Sequence, residues 1–197
     1  MKSRKRYVVA FWIAASMVVI LAVAMVAVLS AFTAKASSGF EITYTAGANV
    51  EATITATYKV GSASPKTVTT SDGTNKLEFN TGDTDETVTK SFDKMTGITM
   101  AKDDAVIIQY VIKNDSTTAA VKLTASASIS RSDNLTIQYS KDNTTWKSSI
   151  NDAAVIPTSG LSIEKGATQY VYIKITVATK TQGASFNGDF NFDLATL

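Results

Sequence analysis

Apolar residues dominate the start of the chain, in a run over residues 7–29. A basic head precedes the run: Lys2, Arg4, Lys5 and Arg6. The run has 23 residues and no polar stripe, so as a helix it is long enough to cross the roughly 30 Å hydrocarbon layer of a membrane. Because basic flanks stay on the cytoplasmic side, the pattern predicts an export or transmembrane helix that places the following chain outside.

Two outcomes for this N-terminal segment stay open. Ala34-Lys35-Ala36 fits the small-x-small cleavage site of a secretory signal peptide, with Ser37 as the new first residue. The apolar run is longer than the usual signal core of about 7–15 residues, which favours a retained single-pass anchor. We expect residues 1–36 to be either a signal peptide or an anchor through residues 7–29.

Downstream of residue 36 the apolar and polar positions alternate, which is the period of β-strands. The clearest alternation covers residues 50–60, 119–129 and 170–177. Residues 105–112 are apolar on both faces apart from Gln109, which predicts a strand buried in the middle of the fold. About nine short strands without helical spacers predict that residues 37–197 form an all-β domain, an antiparallel two-sheet sandwich of the jelly-roll or immunoglobulin-like kind.

Composition narrows the function classes. The chain has no cysteine and no histidine, so it cannot build a Ser-His-Asp or Cys-His catalytic system or a Cys/His zinc site. Five of its 19 basic residues lie in the first 36 positions, leaving 14 against 17 acidic residues in the predicted exported domain. That domain therefore lacks the basic footprint of a nucleic-acid-binding protein. We expect no enzymatic activity, no cofactor and no small-molecule ligand.

Two groups of side chains are candidates for binding. The acidic residues Asp83, Asp85 and Glu86 offer oxygen ligands for calcium, but solvated acidic turns are common and the full calcium-loop spacing is missing. The aromatic residues Tyr139, Trp146, Tyr170 and Tyr172 offer a carbohydrate-binding platform. Scattered aromatic residues in a sandwich more often belong to the core or to cross-strand pairs, and we favour that interpretation.

The first stretch of the predicted exported domain, residues 37–45, is a short strand by its alternation. Phe40, Ile42 and Tyr44 share one face, and Glu41 and Thr43 share the other. Its position directly after the predicted cleavage site would free it, or tether it, at the N-terminus of the domain.

Three segments carry a resemblance to a known family. The export segment ends in Ala31-Phe32, and in residues 98–123 Lys102-Asp103-Asp104 leads into an apolar strand that ends at Asn114. Residues 182–194 form the last alternating segment. Together these segments resemble the TasA/camelysin family of bacterial biofilm-matrix and surface fibre proteins, in which the third would be the last strand of the jelly roll.

The resemblance implies a fibre subunit at the cell surface or in the extracellular matrix. In such fibres an N-terminal strand of one subunit completes a sheet of the next, by backbone pairing with alternate side chains as anchors. Residues 37–45 would be that strand, with Phe40, Ile42 and Tyr44 as candidate anchors and another copy of the chain as partner. Pairing of this strand within its own domain is the alternative. For the function, the alternative is a membrane-tethered, adhesin-like module that binds a glycan or a protein.

Overall fold

The computed structural model describes residues 33–35, 40–46, 50–70, 72–80, 87–95, 98–101, 104–131, 135–177 and 186–197. These residues form thirteen β-strands and no helix. The strands are β1 (Thr33–Lys35), β2 (Phe40–Ala46), β3 (Ala52–Val60), β4 (Lys66–Thr67), β5 (Lys76–Phe79), β6 (Val88–Met95), β7 (Thr99–Ala101), β8 (Ala105–Asn114), β9 (Val121–Arg131), β10 (Leu135–Ser140), β11 (Leu161–Ile163), β12 (Thr168–Val177) and β13 (Phe186–Thr196). The helix predicted over residues 7–29 lies outside the described residues, and within them there is no apolar helix of membrane-spanning length.

One sheet has six strands. Its order is β10-β12-β8-β3-β4, and β5 also pairs with β3. All of its pairs are antiparallel. β8 lies at the centre, paired over nine positions with β12 and over nine with β3.

The second sheet has five strands in the order β11-β9-β13-β2-β6. Its pairs are antiparallel except for β13 and β2, which run parallel. This pair departs from the purely antiparallel sandwich predicted from the sequence. A parallel pair needs a long crossover connection, and here most of the domain lies between the two strands.

The two sheets pack face to face around one hydrophobic core. The rings of Tyr110 on β8 and Phe192 on β13 lie 5.7 Å apart between centroids, and those of Tyr139 on β10 and Phe190 on β13 lie 6.3 Å apart. Phe190 and Phe192 are fully buried, and each contributes about 1.5–3 kcal/mol of hydrophobic stabilisation. The predicted two-sheet packing is therefore confirmed.

Two predictions about individual strands need correction. β8 is not buried on both faces: Val106, Ile108, Tyr110 and Ile112 are buried, whereas alternate residues are half-exposed. A single layer covers it, because only one face of the six-stranded sheet meets the other sheet. In β9 the predicted apolar face is buried at Val121 and Leu123, but Ala127 is exposed.

β8 and β9 belong to different sheets, so they do not pair as a hairpin. A small third sheet pairs β1 with β7.

Candidate functional site

The predicted N-terminal strand lies in the interior of the five-stranded sheet as β2. On one side it pairs in parallel with β13 over seven positions, from Phe40 opposite Gly188 to Ala46 opposite Leu194. On the other side it pairs antiparallel with β6, with an irregularity between Phe40 and Ile42. We call the space between β13 and β6 the β2 slot.

In the register of β2, each of the three predicted anchor positions lies opposite at least one buried residue of β13 or β6. Ile42 lies opposite Phe190 of β13 and opposite Phe92 of β6, both of which are buried. Tyr44 lies opposite the buried Phe192, and Phe40 lies opposite the buried Met95. Since directly opposite residues share a face of a sheet, these positions lie on the core side of the slot.

The slot has a partner strand on both sides, and β6 is itself covered on its far side. The Asp93 amide donates a 2.7 Å hydrogen bond to the carbonyl of Thr69, and the Thr69 hydroxyl donates to Asp93 Oδ2 at 2.9 Å. The Lys90 ammonium donates a 2.5 Å hydrogen bond to the carbonyl of Glu78, which ties β6 to β5. β6 therefore has contacts besides its ladder with β2, which is its only strand pairing in the part of the chain that the structure describes.

The face of β13 that points away from the core is polar. Asp189, Asn191 and Asp193 of β13 are exposed and alternate with the buried aromatic residues. This alternation is the reason that β13 has one core face and one hydrated face.

The structure places one of the predicted cleavage-site residues in a strand. Ala34 belongs to β1 and lies opposite Met100 of β7, in a ladder of three residue pairs. Ala36 and Ser37 lie outside the described residues. The ladder joins the end of the predicted export segment to the domain that follows it.

The predicted calcium ligands Asp83, Asp85 and Glu86 lie outside the described residues. Among the residues that the structure describes, no group of three or more acidic side chains is placed to hold a metal ion.

Two carboxylates elsewhere close their own turns. Backbone N–H groups of Thr145 and Thr144 and the Ser140 hydroxyl hold the pKa of Asp142 far below its usual range. The Thr70 hydroxyl and the N–H and hydroxyl of Thr74 lower the pKa of Asp72. Hydrogen bonds to a carboxylate favour its charged form, so these groups serve as turn caps.

The four aromatic residues weighed from the sequence divide into two groups. Tyr139 is buried and its ring meets Phe190 edge-on, so it belongs to the core as we favoured. Tyr170 is 42% exposed, and Tyr172 and Trp146 are half-buried. These three residues are not part of the buried core, and Tyr170 and Tyr172 fall on the alternate positions of β12 that face away from its buried Val171 and Ile173.

The sequence pattern predicted β2 as a strand, but it did not predict that β6 and β13 are the strands paired with it. Nothing local in β6 or in β13 marks them as the partners of β2, since strand alternation specifies a face and not a neighbour. The parallel pairing of the first long strand with the last had no signal in the sequence pattern.

No protein-family model matches the chain, and no curated protein matches it. Among solved structures, crystal structures of two mutants of the major pilin from Streptococcus pyogenes align with 80% of this chain and 49% of theirs. The alignments have 9% and 8% sequence identity and TM-scores of 0.17 and 0.16. The chain thus spans about half the length of these pilins, and similarity at this level shows neither a shared fold nor a shared function.

Proposed function

We propose that the chain is an exported, non-enzymatic structural subunit of a surface or matrix fibre, and that it polymerises by β-strand addition. In this proposal β2 of one subunit occupies the β2 slot of the next. The resemblance to the TasA/camelysin family supports it, as does a sandwich of the broad jelly-roll or immunoglobulin-like kind, whose chain crosses between sheets at most steps.

The observation that carries the proposal is the position of β2 between two strands distant in sequence. Backbone ladders on both sides hold β2. Its two neighbours also have contacts of their own, since β13 pairs with β9 and β6 is hydrogen-bonded to Thr69 and Glu78. Without β2 the slot would present two rows of backbone N–H and C=O groups, which is a template for a strand from another chain. Every copy of the chain has the same β2, so a second copy can supply the strand that fills the slot.

Exchange between copies conserves the contacts that β2 makes. The ladder with β13 and the ladder with β6 are the same whether β2 comes from its own chain or from a neighbour. Swapping an identical element costs little for this reason, and a head-to-tail exchange that does not close produces a filament. Assembly by this route rises with protein concentration, because pairing within one chain competes with it.

The fibre proposal places the domain outside the cytoplasmic membrane. The basic head and the apolar run at residues 7–29 support export, and cleavage after Ala36 would release the domain. Retention of the run would leave β2 tethered close to the membrane, the arrangement expected of a membrane-anchored binding module. Mass spectrometry of the mature N-terminus separates these states: Ser37 as first residue supports the released fibre subunit.

Electron microscopy of the chain beginning at Ser37 tests the proposal. We expect filaments that appear above a threshold concentration. Phe40→Asp combined with Ile42→Asp should abolish them, because charges at these positions would enter the core side of the slot.

The matched control places the same charges two positions apart on the outer face of β10, as Thr136→Asp with Gln138→Asp, opposite Thr176 and Lys174, and should leave the filaments intact. Circular dichroism of both variants separates lost assembly from lost folding. Filaments that persist in the folded β2 variant would refute strand addition.

A further inference from the structure

The outward face of the six-stranded sheet carries a pair of stacked tyrosines. Tyr170 and Tyr172 lie two positions apart on β12, with ring centroids 6.3 Å apart and ring planes inclined by 19°. Tyr170 is 42% exposed. The two rings are stacked with nearly parallel planes, and they form an aromatic patch on the side of the sheet away from the core.

A third aromatic residue, Trp146, contacts the same strand through Lys174. The Lys174 ammonium, also on β12, lies 4.2 Å from the centroid of the Trp146 ring. Backbone hydrogen bonds of 2.8 Å in both directions between Tyr139 and Lys147 fix the loop that carries Trp146. The loop is closed further by the Asp142 turn, in which Asn143 has a φ of 61°.

A cleft with a volume of about 110 Å³ lies on the same face and includes Tyr172 in its wall. The polar groups around it are an ammonium, two carboxamides and a hydroxyl, and Ile107 adds an apolar patch. These groups are Lys59, Gln109, Asn143 and Thr57. The register supports the grouping, since Tyr172 lies opposite Gln109 and Gln109 lies opposite Thr57.

We propose that this face, the stacked tyrosines with the adjoining cleft, binds an acidic polysaccharide. The C–H face of a sugar ring carries partial positive charge and packs on the negative face of an aromatic ring. Carboxamides donate and accept hydrogen bonds at once, as vicinal sugar hydroxyls do. Around this face the two positive charges of Lys59 and Lys174 outnumber the one negative charge of Asp142. The excess of positive charge favours a uronic acid over a neutral sugar.

A nucleic acid fits the same surface less well. Single strands also stack on aromatic rings, but their binding grooves follow the backbone with many basic groups. The chain from Ser37 onward has 14 basic against 17 acidic residues and a single arginine, Arg131. The proposal is independent of strand exchange, because β12 and β2 belong to different sheets.

Native affinity electrophoresis tests the proposal with two polymers in the gel, polygalacturonate and neutral dextran. The full chain is kept in a polyoxyethylene ether detergent, which carries no sugar. We expect polygalacturonate alone to retard the protein, and Tyr170→Ala or Tyr172→Ala to weaken retardation about tenfold, as for an aromatic anchor in an interface. Tyr172→Phe, which keeps the ring, should retain most of the binding.

Charge is tested with Lys59→Gln, which should lower the affinity for polygalacturonate. Lys94→Gln removes an exposed lysine of β6 in the other sheet and should leave it unchanged. Equal retardation of the wild type and the tyrosine-to-alanine variants would overturn the proposal, as would equal retardation by dextran. Tighter binding to a single-stranded oligonucleotide, or tyrosine-dependent self-association without polysaccharide binding, would overturn it as well.

Discussion

The side-chain amide of Asn114 donates a 3.0 Å hydrogen bond to the carbonyl of Ile163, 49 residues further along the chain. It donates a second one to the carbonyl of Ala119, and its Oδ1 accepts one from the N–H of Ser116. Asn114 ends β8 in the six-stranded sheet, and Ile163 ends β11 in the other sheet. One buried amide therefore joins the two sheets at a corner.

Asn114→Ala should destabilise the domain by about 2–4 kcal/mol, because it leaves two carbonyls and an N–H without their partner in a buried corner. The loss appears as a lower midpoint of urea unfolding. Asn191→Ala, at an exposed position of β13, is the control and should change the free energy of unfolding by less than about 0.5 kcal/mol. Equal midpoints for the Asn114 variant and the wild type would show that the corner contributes nothing.

Tyr110 predicts how stability responds to alkaline pH. Burial raises the pKa of its phenol well above the usual value of 10.0, because the charged form is disfavoured in the core. The folded state then holds this proton more tightly than the unfolded state. The associated stability is complete below about pH 10 and is lost as the pH rises through the folded-state pKa.

Urea unfolding of the wild type and Tyr110→Phe at pH 8 and pH 11 measures this contribution. We expect the wild type to lose more stability than the variant between the two pH values. Tyr170→Phe removes an exposed phenol and should follow the wild type. Parallel pH profiles for the wild type and Tyr110→Phe would contradict the assignment.

Alternation in the sequence predicted the strands that have one buried face. β3 is buried at Ala52, Ile54 and Ala56, and β12 at Val171, Ile173 and Ile175, as their patterns indicate. The burial of β8 was harder to predict, because Ile107 and Val111 are apolar and yet lie on the outer face. Apolar composition does not reveal how many layers cover a strand.

The candidate sites were predictable to different degrees. The period of residues 37–45 predicted a strand with three anchor positions, but the slot depends on β13 and β6, and strand pairing is a long-range property. The sequence named the aromatic residues as a candidate platform but could not say which of them lie at the surface, because Tyr139 and Tyr172 look alike in sequence. Their separation into core and surface depends on the face that each residue occupies: Tyr139 lies opposite the buried Ile173, whereas Tyr172 lies opposite the half-buried Gln109.

The β1–β7 ladder predicts a stability difference between two forms of the N-terminus. A chain beginning at Ser37 lacks the three residue pairs that Thr33–Lys35 makes with β7. We expect its free energy of unfolding to be about 1–2 kcal/mol lower than that of a chain beginning at Thr33, which is the net contribution of one or two backbone hydrogen bonds. Guanidinium unfolding measures the difference.

Ala34→Pro in the longer chain is the matched variant. Proline has no N–H and fits poorly in a paired strand, so the variant should be about as unstable as the chain that begins at Ser37. If all three chains unfold at the same denaturant concentration, the ladder has no role in stability, and cleavage after Ala36 would leave the domain's stability unchanged.

Strand exchange is tested most directly by a disulfide across the slot. Thr45 of β2 lies opposite Thr89 of β6, at the spacing of about 4.5–5.5 Å between Cβ atoms that antiparallel neighbours have, within reach of a disulfide. The chain has no cysteine, so Thr45→Cys with Thr89→Cys introduces the only thiols. Thr136→Cys with Thr176→Cys, across β10 and β12, is the control pair in strands that are not exchanged.

Each variant, in the chain beginning at Ser37, is oxidised after filaments have formed and is then run on a denaturing gel without reductant. Strand addition predicts a ladder of covalently linked chains for the Thr45/Thr89 pair and single chains for the control pair. Filaments in which the Thr45/Thr89 pair forms disulfides only within single chains would contradict the account.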